Sequence, residues 1–474
     1  MSKQILKLDR ENIGAFQKEL YTGTKKEPKV GTRFSTEVEK RSQGSHMKIK
    51  LDQIPVKEGE IVYTASKKFD SLLKLEGHVD LFPYRVKEQY KNTVSICYHH
   101  NLCHNIFYFG ECKIDNEHYG FLDSVWMDMY SQYFVEKREL YDRMIGNIPC
   151  LEEWGTDLPG IHLVAPQPFS FSRNSRVSIP ILKSDKNSIT FEYKIRTKLT
   201  DLIKMRVAVK DSNGNITYKE IKCNLKYLDT RNNTHIPIPE MWGRYAEMTD
   251  EERNWRKSVD PEIGEPIKQI IYIEDIDITS SKNPKTIGTQ EEISLAGTAP
   301  AKHVFWVASL VDSGYSNYTT DRNNVYKGWN PCLKSGIKYG NSDRVEECGH
   351  EHFDLSEVYD FNWPNIPREA GYNVHTYTFN PMEIQAADTA VILKECGATL
   401  NVWLGDTNPF IDQEEEDEHY DANNEIIPVE ALDDTLDESK KDKYIVHVRA
   451  LVVRKMEVYW SDKAGALKYV FTSS

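Results

Sequence analysis

No apolar run in the 474-residue sequence approaches the roughly 20 residues that a membrane-spanning helix needs. A surplus of basic charge is also missing. The net charge of −13 argues against nucleic acid or an anionic membrane as the main partner. The phosphate-cradling motif G-x-x-x-x-G-K-[ST] and a G-x-G-x-x-G between strand and helix are absent, as are the G-x-S-x-G elbow and H-E-x-x-H. Those absences remove the common signatures of nucleotide enzymes, serine hydrolases and zinc proteases. Eight cysteines at scattered spacings do not form a disulfide framework, so free thiols in a reducing compartment are expected. The opening "MSKQILKLDRENIGAF" is charged throughout and lacks the apolar core of a signal peptide. Sequons at Asn215, Asn232 and Asn317 are accordingly read as coincidental.

What is present suits a folded protein of two or three domains. The chain is 39% hydrophobic and 11% aromatic, with 26 Tyr and 9 Trp, residues that fit half-buried pleated surfaces. Residues 1–45 are polar and weakly patterned, as expected of an arm. From Met47 to Leu81, short alternating segments punctuated by Pro and Gly predict antiparallel strands, and Thr93–Cys97 and Ile106–Phe109 extend that pattern. The period then changes. Trp126, Met129, Tyr130, Tyr133, Phe134, Leu140, Tyr141, Met144 and Ile145 recur at threes and fours. They predict one amphipathic helix of about twenty residues or two shorter ones, capped by Asp123 and Gly146.

Strands return at Ile161–Val164 and in the ribbon "PQPFSFSRNSRVSIPILKSDKNSITFEYKIRTKLTDLI". There Ile189, Phe191, Tyr193, Ile195, Thr197 and Leu199 share one face, and Thr190, Glu192, Lys194, Arg196 and Lys198 the other. Phe169 and Phe171 are expected to anchor the first sandwich. Arg173 and Arg176 are expected at a strand end, paired with carboxylates of the same or a neighbouring subunit. A hairpin is predicted around Ser212-Asn213-Gly214. Residues 230–267 have the character of a linker, with a capping box at Thr249 and Glu252. The second half repeats the strand vocabulary in "IKQIIYIEDIDI", "KHVFWVASLV", "YNVHTYTF", "ATLNVWL" and "YIVHVRALVVRKMEVYW". Two long irregular insertions, 312–357 and 405–442, interrupt it. The pattern predicts an all-β protein of two sandwiches or jelly rolls in tandem, divided as an arm over 1–45, a first roll over 46–232, a linker with a short helix over 233–266 and a second roll over 267–474.

The densest chemistry lies in "CYHHNLCH", where Cys97, His99, His100, Cys103 and His104 offer thiolate and imidazole ligands suited to zinc. The spacing fits no usual zinc pattern, and a strand end with buried, hydrogen-bonded Cys and His is the plainer reading. "CGHEH", with Cys348, His350 and His352, falls in an insertion of the other half. Trp306 and Phe305 read as core before they read as a sugar platform. The acidic run Asp412–Asp421 reads as a solvated loop before a weak calcium site. No catalytic, cofactor-binding or metal residue is therefore assigned, no cofactor is expected, and no enzymatic activity.

Four ordered segments carry a resemblance: "YHHNLCHNIFYFGECKIDN", "FLDSVWMDMYSQYFVEKRELYDRMIGN", the Pro-Phe ribbon from Ile161 to Ile203, and "YAEMTDEERNWRK". Together they resemble the major capsid protein family of nucleocytoplasmic large DNA viruses, of the iridovirus and African swine fever virus type. The resemblance spans roughly residue 90 to the end and implies two tandem eight-stranded jelly rolls with a few short helices and long loops. It further implies a structural role in the virion: homotrimeric, pseudo-hexagonal capsomers tiling an icosahedral shell and assembled in the host cytoplasm. The implied partners are neighbouring capsomers and minor capsid proteins, with an inner viral membrane reached through other proteins and no direct nucleic-acid contact. The same resemblance admits a minor or penton-type capsid paralogue. The residues alone leave a carbohydrate-binding jelly-roll protein as the other alternative.

Overall fold

Alternating side chains build sheets only where a partner strand covers each backbone edge, and pairing shapes nearly every element of this chain. The computed structural model describes residues 46–472, apart from 58, 211–215, 231–232, 262–263, 312–313, 322–323, 385–389 and 406–442. The expected arm, the Ser212-Asn213-Gly214 turn, the sequons at Asn215 and Asn232, and the acidic run Asp412–Asp421 lie outside these residues.

The architecture is a pair of tandem jelly rolls. In the first roll one sheet runs in the order His46–Lys50, Glu240–Ala246, Ser71–Leu81, Ile161–Pro166, with Ile179–Pro180 also on Ser71–Leu81. A second sheet runs Asp52–Lys57, Glu60–Thr64, Ile189–Lys194, Phe109–Ile114, Glu117–Asp123. Leu72, Leu75, Val79 and Met241 of the first sheet, and Tyr63, Ile114, Phe191 and Tyr193 of the second, belong to one buried cluster. Two three-stranded sheets close the roll, one of them ordered Ile216–Ile221, Ile203–Lys210, Val94–Tyr98.

The second roll pairs a seven-stranded sheet with a four-stranded one. The large sheet runs Lys268–Ser280, Lys443–Ser461, Pro300–Leu310, Asn373–Thr376, with three further strands on its flanks. The small sheet runs Gln290–Ser294, Ala398–Leu404, Cys332–Tyr339, Ser342–Gly349. Both faces of the large sheet are buried at its centre, over 303–308 and 448–453. Val304, Trp306 and Ala308 join the cluster shared with the small sheet, while Phe305 and Val307 join the core of the first roll. The same split divides Val446, Val448 and Ala450 from Leu451, Met456 and Val458. The continuous apolar run "HVFWVASL" is the sequence trace of a strand covered on both sides.

Four expectations are revised by partner geometry. Leu102–Ile106 is a helical turn where a strand was predicted from Ile106; Asn101 turns the chain at φ 51°, and the Asn105 amide donates to the His100 carbonyl at 2.7 Å. Within the alternating run 188–200 the ladder holds only over Ile189–Lys194, because Lys194 pairs with the residue at which each neighbouring strand begins, Glu60 and Phe109. Burial alternation nevertheless reaches Ile195 and Leu199. The insertion 312–357 is not irregular throughout: it contains the hairpin Cys332–Tyr339/Ser342–Gly349, turned at Gly340 with φ 57°. Glu240–Ala246, in the linker-like stretch, pairs on both sides within the first sheet.

The helical segment resolves into Ser124–Tyr133 and Arg138–Ile145. Asp123 accepts the Trp126 amide at 2.8 Å, and Gly146 ends the second helix in the left-handed region at φ 102°. Arg138 donates to the Ser131 carbonyl at 3.0 Å, which satisfies an end carbonyl of the first helix where the chain breaks.

Trp306→Ala is expected to lower stability by about 3–5 kcal/mol, since it empties a site between two sheets. Ile54→Ala, at a position 62% exposed, should stay within about 0.5 kcal/mol. Chemical denaturation of the two variants against the parent chain checks the contrast.

Candidate functional site

Charged residues interrupt the apolar strands of the large sheet at Glu274, Asp275, Lys302, Arg449 and Arg454. A charge inside a strand that is buried on both faces must find a partner, because desolvating an unpaired ion costs several kcal/mol. Every one of these side chains finds its partner at the seam between the rolls, and most reach residues of the first roll.

Glu274 accepts from Lys302 at 2.6 Å and from Arg173, and its backbone N–H donates to Ser170 Oγ at 3.0 Å. Arg173 therefore sits on the short helical turn Ser170–Arg173 and pairs within the same chain, its guanidinium 4.7 Å from the Phe134 ring. Arg176 is exposed. Phe169 and Phe171 are buried beneath this turn, stacked at 5.7 Å and packed on Phe191, as the ribbon's aromatic entry predicted. Asp275 accepts from the Phe121 amide at 2.9 Å and Arg454 at 2.6 Å, and lies 2.9 Å from His118 Nε2. Asp123, the helix cap, also receives Arg449 at 2.5 Å through Nη2, while Arg449 Nη1 holds the Thr279 carbonyl at 3.0 Å. Aromatic contacts fill the space between these pairs: Trp126 on Phe305 at 5.5 Å, and Phe134 on Trp363 at 5.1 Å.

The histidines of "CYHHNLCH" are drawn into the same seam, each toward a different partner, while its two cysteines are buried in the first roll. Cys97 and Cys103 are buried, which pushes the Cys97 thiol up to about 12 and the Cys103 thiol higher still. Neither favours the thiolate that a metal or a nucleophile requires. His99 packs on Tyr315 at 5.3 Å, and burial together with Lys204 and Arg196 lowers it to about 3. Gly314 makes this approach possible, since a Cβ there would stand 2.2 Å from the His99 ring. His104 lies 2.6 Å from Asp128 and 2.9 Å from the Tyr141 hydroxyl, and Tyr318 of the second roll donates to the same carboxylate at 2.8 Å.

His100 sits between Glu152 and Glu369, with Glu369 at 3.2 Å and also held by Arg138 at 2.9 Å. Burial alone would lower His100, but the Glu369 charge and hydrogen bonds to Glu152 and Glu369 raise it to about 10. Glu369 would rise on burial, but His100 and Arg138 hold it down at about 2.

Cys348, His350 and His352 stand at the far edge of the small sheet, where His350 pairs with Asp354 at 2.8 Å. Among the described residues no group of three or more His, Cys, Asp or Glu side chains is arranged to hold a metal ion. Asn317 is buried and donates to the Asp321 carbonyl at 2.7 Å. The connecting helix Asp250–Arg256 is clamped from both sides: Arg253 reaches Asp70 of the first roll at 2.6 Å, and Arg256 reaches Gln269 of the second at 2.6 Å. Arg173 was expected to meet a carboxylate, but the charges of the large sheet that it and its neighbours meet escaped sequence reading, although one signal was present: isolated charges in strands otherwise apolar on both faces.

No family model matches the sequence. The major capsid protein of Simulium iridescent virus is 25% identical over 343 residues, which are 66% of this chain and 68% of that protein. A probable capsid protein of Acanthamoeba polyphaga mimivirus is 22% identical over 372 residues, covering 63% and 72% of the two chains. Among solved structures, the PBCV-1 virus capsid is similar with a TM-score of 0.62 at 12% identity, covering 90% of this chain and 97% of that one. The Faustovirus major capsid protein follows at 0.58 and 9%, covering 86% and 90%. The shared fold is the double jelly roll, and the sequence resemblance is to viral major capsid proteins.

Glu274→Ala leaves Lys302 and Arg173 buried without their carboxylate and is expected to cost about 3–5 kcal/mol. A Glu274→Ala/Lys302→Met/Arg173→Met chain should recover much of that loss in denaturant titrations. The His100–Glu369 pair sets a pH window. His100 is raised from 6.5 to about 10, so its contribution is complete below pH 6.5 and lost as pH climbs toward 10. Glu369 is lowered from 4.5 to about 2, so its contribution is complete above pH 4.5 and lost as pH falls toward 2. Denaturation midpoints measured against pH should show His100→Gln flattening the alkaline limb.

Proposed function

We propose that the chain is a structural capsid protein of a large DNA virus, built to tile a shell and without catalytic activity. The observation that carries this reading is the seam. One buried cluster continues from the first roll onto the large sheet of the second, and ion pairs cross beside it. Two similar β-walls are thereby held as one body, divided at the helix Asp250–Arg256. Three such chains present six similar walls, which suits a pseudo-hexagonal tile, and cyclic closure repeats one interface three times. The similarity to major capsid proteins supports the same assignment.

On this reading the partners are two further copies in a homotrimer, then neighbouring capsomers and minor capsid proteins. The chain resides in the virion after assembly in the host cytoplasm. The net charge of −13 keeps free capsomers soluble and disfavours direct contact with nucleic acid.

Size-exclusion chromatography with light scattering on the full chain is expected to give three times the 54.9 kDa chain mass. Electron microscopy should show a pseudo-hexagonal outline. A strictly monomeric chain at micromolar concentration would contradict the proposal.

A further inference from the structure

Scattered exposed apolar residues are ordinary, whereas large ones gathered on an anchored platform mark a contact surface. Leu355, Tyr359 and Phe379 are 51%, 81% and 84% exposed, and Phe379 lies 6.4 Å from the Phe361 ring. Their platform is fixed from beneath. Phe353 is buried on Trp306 at 4.9 Å, and Glu357 accepts the Thr376 amide at 3.0 Å while lying 2.7 Å from His375. The exposure of these three side chains is therefore a property of a packed surface. The surroundings are acidic: besides the buried Glu357, residues 342–360, which include the edge strand Ser342–Gly349, hold six carboxylates against one arginine.

The first roll carries a surface of opposite character. Its described residues 198–210 and 216–226 hold seven Lys and Arg against two carboxylates, one of which, Glu220, pairs with Lys204 at 3.2 Å. On the sheet that ends at strand Ile216–Ile221, Arg206 lies 4.7 Å from the Trp154 ring and 4.3 Å from Tyr218, a tyrosine 39% exposed. An apolar centre with an acidic border matches an aromatic surface bordered by cations, the anatomy of a protein interface with charge complementarity.

We infer that the Leu355–Tyr359–Phe379 face of one copy docks against the Arg206–Tyr218 face of a second copy of this chain. The contact is heterologous, second roll to first roll, so it repeats around a ring and leaves no odd surface when three copies close. This inference rests on the capsomer reading and names the surface through which copies meet.

The test uses the full chain in light scattering across a dilution series, with circular dichroism to follow folding. Tyr359→Ser/Phe379→Ser should raise the concentration of half-dissociation at least about tenfold, the loss of a hot-spot contact. Glu346→Lys/Asp360→Lys and, separately, Lys219→Glu/Lys222→Glu should weaken assembly, and one chain that carries all four reversals should restore it, since every contact of the ring is then complementary again. If the parent chain assembles and the serine variant assembles equally well, the inference is overturned and the aromatic face belongs to a different occupant. A chain with all four reversals that folds but fails to assemble also overturns the pairing. A parent chain that stays monomeric instead defeats the capsomer reading itself.

Discussion

Burial of both faces of the seven-stranded sheet is the constraint on which the rest of the structure depends. Over 303–308 and 448–453 every position of its central strands is buried, so alternate residues are committed to two different cores. Val304, Trp306 and Ala308 answer to the small sheet of their own roll, while Phe305 and Val307 answer to the first roll. A sheet used in this way acts as a party wall. Neither roll can shift against the other without exposing apolar surface on one side of it.

The same constraint accounts for the ion pairs. A charge placed in a doubly covered strand has no water to turn to, so Glu274, Asp275, Arg449 and Arg454 are met at the seam by Arg173, the Phe121 amide, Asp123 and the Tyr119 carbonyl. Buried pairs of this kind add little net stability over apolar residues of similar size, but they penalise misalignment heavily. Their value lies in register. The helix that caps on Asp123, the turn that carries Arg173 and the strand that carries Arg449 can meet only in one arrangement of the two rolls.

Shape and register are what a shell component must deliver. The histidines and cysteines that looked most like chemistry in the sequence are consumed by packing: the two thiols are buried and hard to ionise, His104 is shared between Asp128 and Tyr141, and His100 lies between two glutamates. The seam is thus an arrangement of groups that hold one another in place. The surfaces left over, acidic and aromatic on one roll and basic and aromatic on the other, are where contact with further copies would be decided.

Much of this was legible in the chain itself. Period-two runs such as "ITFEYK" and "EIVYT" placed strands because a strand's side chains alternate whatever lies beside them. Asp123 and Gly146 marked helix ends because caps act within a turn. The ordered segments around the Pro-Phe ribbon carried the fold through resemblance. Strand ends did not follow from the pattern: alternation continues to Leu199, yet the strand stops at Lys194, opposite the residues at which both neighbouring strands begin. The hairpin at 332–349 was passed over because its outer strand, at a sheet edge, is mostly polar and exposed. Local covalent and steric rules act over a few residues, so the sequence by itself determined most of the strands, the helical stretch between Asp123 and Gly146 and the division into two β-halves. Which charge meets which across 101 residues from Arg173 to Glu274, or 326 from Asp123 to Arg449, is set by packing between distant elements, and only the tertiary structure decided it.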